Sequence, residues 1–298
     1  MADRDLELSM IGRTDAIRVR AMRRFAGRLD KRATPLATAL RAYFRRTATN
    51  AIRRFRSLGP SSPLFRLQTM SQVQKQAMLR GQVQLQKSWL RKSLTDDDFA
   101  SFRDVIRLYG TRRMNDAGRT VARGLETEWE TRPEEVEDFF NEKTVHLQNF
   151  METARLEFES ITQDVVTESL TGEPRGTVAQ AAREIFDRIT TSGGPFSPER
   201  AMVVARTEIA QAENFGIYRG MNLAGVKRIR WLSIADNRRR DSHGEMHNKT
   251  VKVGTRFVLP SGVQMYYPCD HNAMGPQRAV AAEIIQCRCV VIPAAVRL

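Results

Sequence analysis

Three cysteines in 298 residues are too few for a disulfide framework. The fold must be held by packing, and the thiols are expected to be reduced, as in a protein assembled in a cytoplasm. No stretch reaches 18 apolar residues without a charge, so no transmembrane helix is expected. The opening MADRDLELSM has neither a basic head nor an apolar run, so no secretory signal is expected. The phosphate loop G-x-x-x-x-G-K-[ST], the nucleophile elbow and the G-x-G-x-x-G dinucleotide fingerprint are all missing, which leaves nucleotide hydrolysis and dehydrogenase chemistry without support. RRM, KH, zinc-finger and helix-turn-helix signatures are missing too, so a general nucleoid or RNA-binding protein has only charge in its favour. No internal repeat is visible, and the heptad signal is too irregular for a coiled coil.

What the chain has is an ordinary globular composition and an unusual charge. Hydrophobic residues make up 41% and charged residues 28%, enough apolar material for one large or two modest cores. The net charge of +14 is unevenly placed. Residues 1–95 carry 21 Lys/Arg against 5 Asp/Glu, residues 96–224 carry 15 against 24, and residues 225–298 carry 12 against 5. The basic first third is rich in arginine: Arg20, Arg23, Arg24, Arg41, Arg45, Arg46, Arg53, Arg54 and Arg56. Guanidinium forks suit phosphate or an acidic protein surface. The plainer alternative is a solvated helix face.

Hydrophobic spacing predicts helices through most of the first 223 residues. Thr34-Pro35 reads as a helix start, followed by Leu36, Leu40, Tyr43, Phe44, Ile52 and Phe55 on one face. Gly59-Pro60 stops it, and a polar, Gln-rich helix is expected over about 71–93. Thr95 with three aspartates opens a further helix to about 124, with a break at Gly110. Arg132-Pro133 opens a long one to about 170, Thr177 caps a short one over 178–190, and Ser197-Pro198 starts one to about 223. After Gly225 the texture changes to short β-like runs at 229–234, 250–253, 257–259, 263–267 and 290–292. The expected class is α+β: a long, mostly helical N-terminal region, then a small module with short antiparallel strands. The expected divisions are a basic helical arm (1–66), a helical region (67–175) and a C-terminal module (176–298).

One ordered pattern lies in the last third: ARTEIAQAENFGIYRG (205–220), RIRWLSIADNRRRDSHGEM (228–246), YYPCDHNAMGP (266–276) and IIQCRC (284–289). Its elements include Arg206, Glu208, Asn214, Trp231, Asp236, Arg238, Arg240, His243, Pro268 and the Cys287-Arg288-Cys289 triplet. In order and approximate spacing this set resembles the phage Mu F-like head morphogenesis family of minor head proteins. Two positions depart from that pattern: Gln286 stands where Asn is common, and Asn248 stands near a common Gly. The resemblance implies a structural, non-enzymatic protein of the virion, present in few copies. It would be associated with the portal protein or the major capsid protein and with packaged DNA, acting in head morphogenesis and in DNA packaging or delivery. It does not extend visibly over residues 1–170.

Three pairs also raise the question of a metal: His243/His247, Cys269/His271 and Cys287/Cys289. In an extended chain a Cys-x-Cys pair shares one face, and zinc accepts Cys and His. The candidate set is His243, Cys287 and Cys289, with Cys269 and His271 as further donors, and the candidate cofactor is a structural zinc that staples a module with a thin core. The alternative is two small buried thiols and surface loop histidines, and Gly244 and Asn248 favour a loop around His243. Asp236, Arg238, Arg240, Asp241 and His243 could also form a nuclease-like or toxin-like site, against the plainer reading of a salt-bridged turn. Arg206 and Glu208 read as an ion-pair network.

Overall fold

The computed structural model describes residues 15–57, 96–130, 132–171 and 178–294, with side chains inside the first helix described from residue 28 onward. The fold is α+β. The elements in chain order are α1 (Asp15–Ser57), α2 (Asp96–Gly124), α3 (Pro133–Glu142), α4 (Thr144–Thr171), α5 (Val178–Thr190), α6 (Pro198–Leu223), β1 (Arg228–Leu232), α7 (Asp241–Glu245), β2 (Thr250–Lys252), β3 (Phe257–Val258), β4 (Gln264–Met265), α8 (Gln277–Ile284) and β5 (Val290–Pro293). Among the described residues no helix is long and apolar enough to cross a membrane. The Gln-rich stretch 71–93, the Gly59-Pro60 stop, Phe55, Thr95 and Thr177 lie outside the described residues or side chains.

The chain forms two compact units, one from 1–36, 106–144 and 202–298, the other from 37–105 and 145–201. The second is helical with an aromatic core. Phe44, Phe102 and Phe158 are fully buried, and Phe102 stacks on Phe150 at 5.2 Å between ring centroids. Phe196, delivered by the turn before α6, packs 5.5 Å from Phe44. Aromatic rings contribute both large buried area and a preferred geometry. Tyr43 belongs to the same cluster, and its hydroxyl donates to the Asp98 carbonyl at 2.9 Å.

Two expected breaks do not occur. Pro35 does not start a helix; it lies inside α1. A proline there removes the bond to the Lys31 carbonyl and costs about 3 kcal/mol in an isolated helix. Leu29, Ala33, Leu36, Ala37 and Leu40 are all buried around it, and that burial outweighs the loss. Gly110 does not break α2 either. Its place is set by packing, since a Cβ there would lie 2.9 Å from the Phe140 ring. Conversely, the predicted long helix from Pro133 is interrupted at Lys143, between α3 and α4.

In the first unit, α2 and α6 approach so closely that a Cβ on Gly216 would sit 2.2 Å from the Met114 carbonyl oxygen. The start of α6 follows its sequence signal, with Ser197 Oγ accepting the Arg200 N–H at 3.2 Å. After Leu223 come the five predicted strands. The sheet has the order β2-β1-β5, antiparallel throughout, with Trp231 opposite Val291 and Ile229 opposite Val251. β3 and β4 form a separate hairpin pairing Phe257 with Met265. In central strand β1, Ile229 and Trp231 point inward, as period-two alternation requires. All four residues of β5 are buried.

Candidate metal centre

The Cys287-Arg288-Cys289 triplet lies just before β5, outside the strand proper. The alternation still holds. Both thiols are buried on one side, and Arg288 reaches out the other way to Asp236. Opposite the thiols stands His243, buried in the short helix α7. The loop expected there is instead a helix of five residues, one turn following Arg240. His243 Nδ1 lies 3.4 Å from Cys289 Sγ and 3.7 Å from Cys287 Sγ. All three donor atoms fall within 4.8 Å of one another.

The surroundings fix these groups. Cys289 N–H donates to Cys287 Sγ at 3.4 Å, and Asn214 Nδ2 in α6 donates to the Cys289 carbonyl at 3.1 Å. The Trp231 indole packs edge-on against the His243 ring at 5.5 Å. His243 Nε2 lies 2.9 Å from Glu283 Oε2, although its N–H points off the line to that oxygen. Ser242 Oγ donates to the same carboxylate at 2.9 Å. Glu283, buried in α8, carries no signal of its role in the sequence; its helix, with apolar Val280 and Ile284, is hidden between two turn-rich segments.

Electrostatics separate the three thiols. Burial pushes Cys269 and Cys289 well above the ordinary thiol range. Cys287 is held well below it by hydrogen bonds from Cys269 and Cys289, reinforced by His243, against the opposing effect of burial. Burial disfavours the charged form of His243, but Cys287 and Glu283 hold its pKa above the usual imidazole value.

The other candidate donors go elsewhere. His247 Nδ1 accepts the Ser233 N–H at 3.1 Å. His271 is 2.8 Å from both the Tyr267 hydroxyl and Glu142 Oε2. Cys269 Sγ donates to the Ile284 carbonyl at 3.0 Å. Thus His243, Cys287 and Cys289 converge, while Cys269 and His271 lie outside that three-atom cluster. Pro268 is buried beside Cys269, whose φ of +63° shapes the turn.

Asp236 holds both Arg288 Nη atoms at 2.7 Å and accepts the Arg238 N–H at 3.0 Å. Those bonds from Arg288 depress its carboxyl below the usual value. Arg240 donates to the Ile285 carbonyl. With Arg239, these arginines border a solvent-open cavity that also reaches His243 and Cys289. On α6, Arg206 bonds Asp30 Oδ1 at 2.6 Å and Gln286 Oε1 at 3.3 Å. Glu208 pairs with buried Lys143. Along α1, Arg41, Arg45, Arg46, Arg53 and Arg56 are exposed and Arg54 half-buried. The side chains of Arg20, Arg23 and Arg24 lie outside those described.

Residues 159–292 match the family described as Phage Mu protein F like protein. Over 140 residues the chain is also 28% identical to NAD(+)--arginine ADP-ribosyltransferase EFV of Enterococcus faecalis. That alignment takes in 45% of this chain and 26% of the relative, so the chain spans about a quarter of that protein. No solved structure matches.

Proposed function

We propose, from the match of residues 159–292 to the phage Mu protein F-like family, that the chain is a structural minor head protein of a tailed bacteriophage. Its place is the capsid interior or portal vertex, its partners are the portal or major capsid protein and packaged DNA, and its role is head morphogenesis with DNA packaging or delivery. The family match is the observation that carries the reading. The arginine face of α1 supports it. Arg41, Arg45, Arg46, Arg53 and Arg56 project to solvent from a helix whose other face buries Leu36, Leu40, Phe44 and Ile52. A shell filled with DNA presents phosphate at high density to such a face, and binding of that kind is independent of sequence.

Deleting the first 66 residues is a poor test, because α1 supplies buried core. Replacing the five exposed arginines by glutamine keeps the core. The logarithm of DNA affinity should then fall with the logarithm of salt concentration less steeply, by about one unit of slope for each phosphate no longer neutralised. An unchanged affinity and slope would assign the arm to an acidic protein partner. Mass spectrometry of purified particles tests the location, and absence of the chain from them overturns the reading.

The alignment with the ADP-ribosyltransferase favours a second reading, an enzyme that consumes NAD+. Incubation with NAD+ and an arginine acceptor distinguishes the two, since sustained nicotinamide release would replace the structural reading. A metal-dependent nuclease acting through the His243 region is tested by plasmid nicking with divalent metals. Nicking that disappears in His243→Ala would establish it.

A further inference from the structure

We propose that His243, Cys287 and Cys289 bind one zinc ion through Nδ1 and two Sγ atoms, and that the ion's fourth position faces the arginine-lined cavity and takes an anionic oxygen ligand such as a phosphate. This site is independent of the virion reading.

Tetrahedral zinc with bonds of about 2.3 Å to sulfur and about 2.0 Å to nitrogen holds its donors roughly 3.5–3.8 Å apart. The two S···N separations, 3.4 and 3.7 Å, already have that spacing. Supporting groups also stand where a metal site needs them. Glu283 faces the far nitrogen of His243, the carboxylate–histidine arrangement that orients a metal-bound imidazole. The Cys289 N–H donates to Cys287 Sγ, a bond that strengthens when the sulfur is a thiolate. The buried Trp231 indole packs edge-on against the His243 ring, and its N–H favours the thiolate form of Cys289. On binding, each thiol still protonated releases its proton to water as its sulfur bonds the metal.

The donor count sets the open position. Among the described residues three donors fall within 4.8 Å of one another, while Cys269, a hydrogen-bonding neighbour of Cys287, lies outside that set and donates to the Ile284 carbonyl. Three protein ligands leave zinc one exchangeable site. The cavity reaches His243 and Cys289 and is bordered by Arg238, Arg239, Arg240 and Arg288. Two thiolates neutralise the zinc, so the surrounding guanidinium charge favours an anion over water as the fourth ligand. The chemistry fits inorganic phosphate or a phosphate ester.

The test uses the full chain, stripped of metal under reducing conditions and reloaded. About one equivalent of zinc per chain is expected. Cobalt should give tetrahedral visible bands and a near-ultraviolet thiolate charge-transfer band with the intensity of two sulfurs. Wild type binding no metal, or a band with three or four sulfurs, overturns the proposal. Cys289→Ser should lose the band and Cys269→Ala should keep it. Loss in a folded Cys269→Ala also overturns it. If Cys289→Ser does not fold, the wild-type band intensity still decides. Adding inorganic phosphate to the cobalt protein should shift the visible bands, with Arg239→Gln needing several-fold more phosphate. Bands that never move with phosphate refute the open position.

Discussion

The two units bury different chemistry. The one drawn from 37–105 and 145–201 closes over aromatic rings: Tyr43, Phe44, Phe102, Phe150, Phe158 and Phe196. The one drawn from 1–36, 106–144 and 202–298 buries Lys143, Glu208, Glu213, His243, Asp270, His271 and Glu283 as well as its apolar residues. Apolar cores tolerate substitutes of similar shape, because dispersion and solvent exclusion have no direction. Buried charges tolerate nothing unless their partners change with them. The contrast teaches that the second kind of interior is a candidate for function, since polar groups are costly to bury and need a reason to stay.

The largest expected effect breaks that contrast at Lys143. Its ammonium is buried, and Glu208 is its partner at the gap between α3 and α4. Lys143→Met should destabilise the protein by roughly 3–5 kcal/mol, because a buried carboxylate is left without its cation. Lys143→Met combined with Glu208→Leu should recover most of that loss. Urea unfolding of the two singles and the double measures it. Additive losses would show that the pair does not interact across the interior.

Phe102→Leu probes the other unit on the same scale. It keeps the site apolar but removes stacking on Phe150 and Phe44. A loss of about 1–2 kcal/mol is expected, without any need for a second change. A loss as large as that of Lys143→Met would erase the distinction between the two interiors.

These two sites differ in the same way in how far they can be read from sequence. The spacing of Leu36, Leu40, Tyr43 and Phe44 shows the apolar face directly, because helical period maps onto a stripe. The five short strands follow from β-branched runs between turn residues. Pro35 and Gly110 mislead because local propensity is weak against tertiary burial. The polar interior is harder. His243 and the two cysteines share a family pattern, but Lys143 and Glu283 look like ordinary surface residues of amphipathic helices. Their burial depends on which distant segments meet, and periodicity carries no such information. Only the bend at Lys143 brings that side chain to Glu208, 65 residues later.

A smaller effect sharpens the comparison on the polar side. The Asp236 carboxyl is depressed by its bonds from Arg288, so its contribution to stability is present above the unfolded-state value of about 3.9 and is lost as pH falls through the lower folded-state value. The stability difference between wild type and Asp236→Asn should be constant near neutral pH and vanish in acid. Asp236 is about a third exposed, so the difference should stay below about 1 kcal/mol and shrink in salt. A difference that grew in acid would reverse the sign of the assignment.

The smallest effect concerns backbone rather than charge. Gln286, which stands where the family it resembles commonly has Asn, has φ of +55°, and Asn248, near a common Gly of that pattern, has φ of +68°. Left-handed backbone costs a residue with a Cβ about 1–2 kcal/mol, whereas asparagine tolerates it better through its short polar side chain. Glycine removes that cost but gives back about 0.5–1 kcal/mol in chain entropy. Asn248→Gly should therefore be close to neutral. Gln286→Gly should gain up to about 1 kcal/mol, less whatever the Arg206 bond to Gln286 Oε1 contributes. Gln286→Asn relieves part of the strain and keeps an amide, so it should fall between wild type and glycine. Thermal melts of the three variants order them. If Gln286→Gly is the least stable, the Arg206 contact outweighs the backbone strain, and the glutamine is there to tie α6 to the turn that carries Cys287.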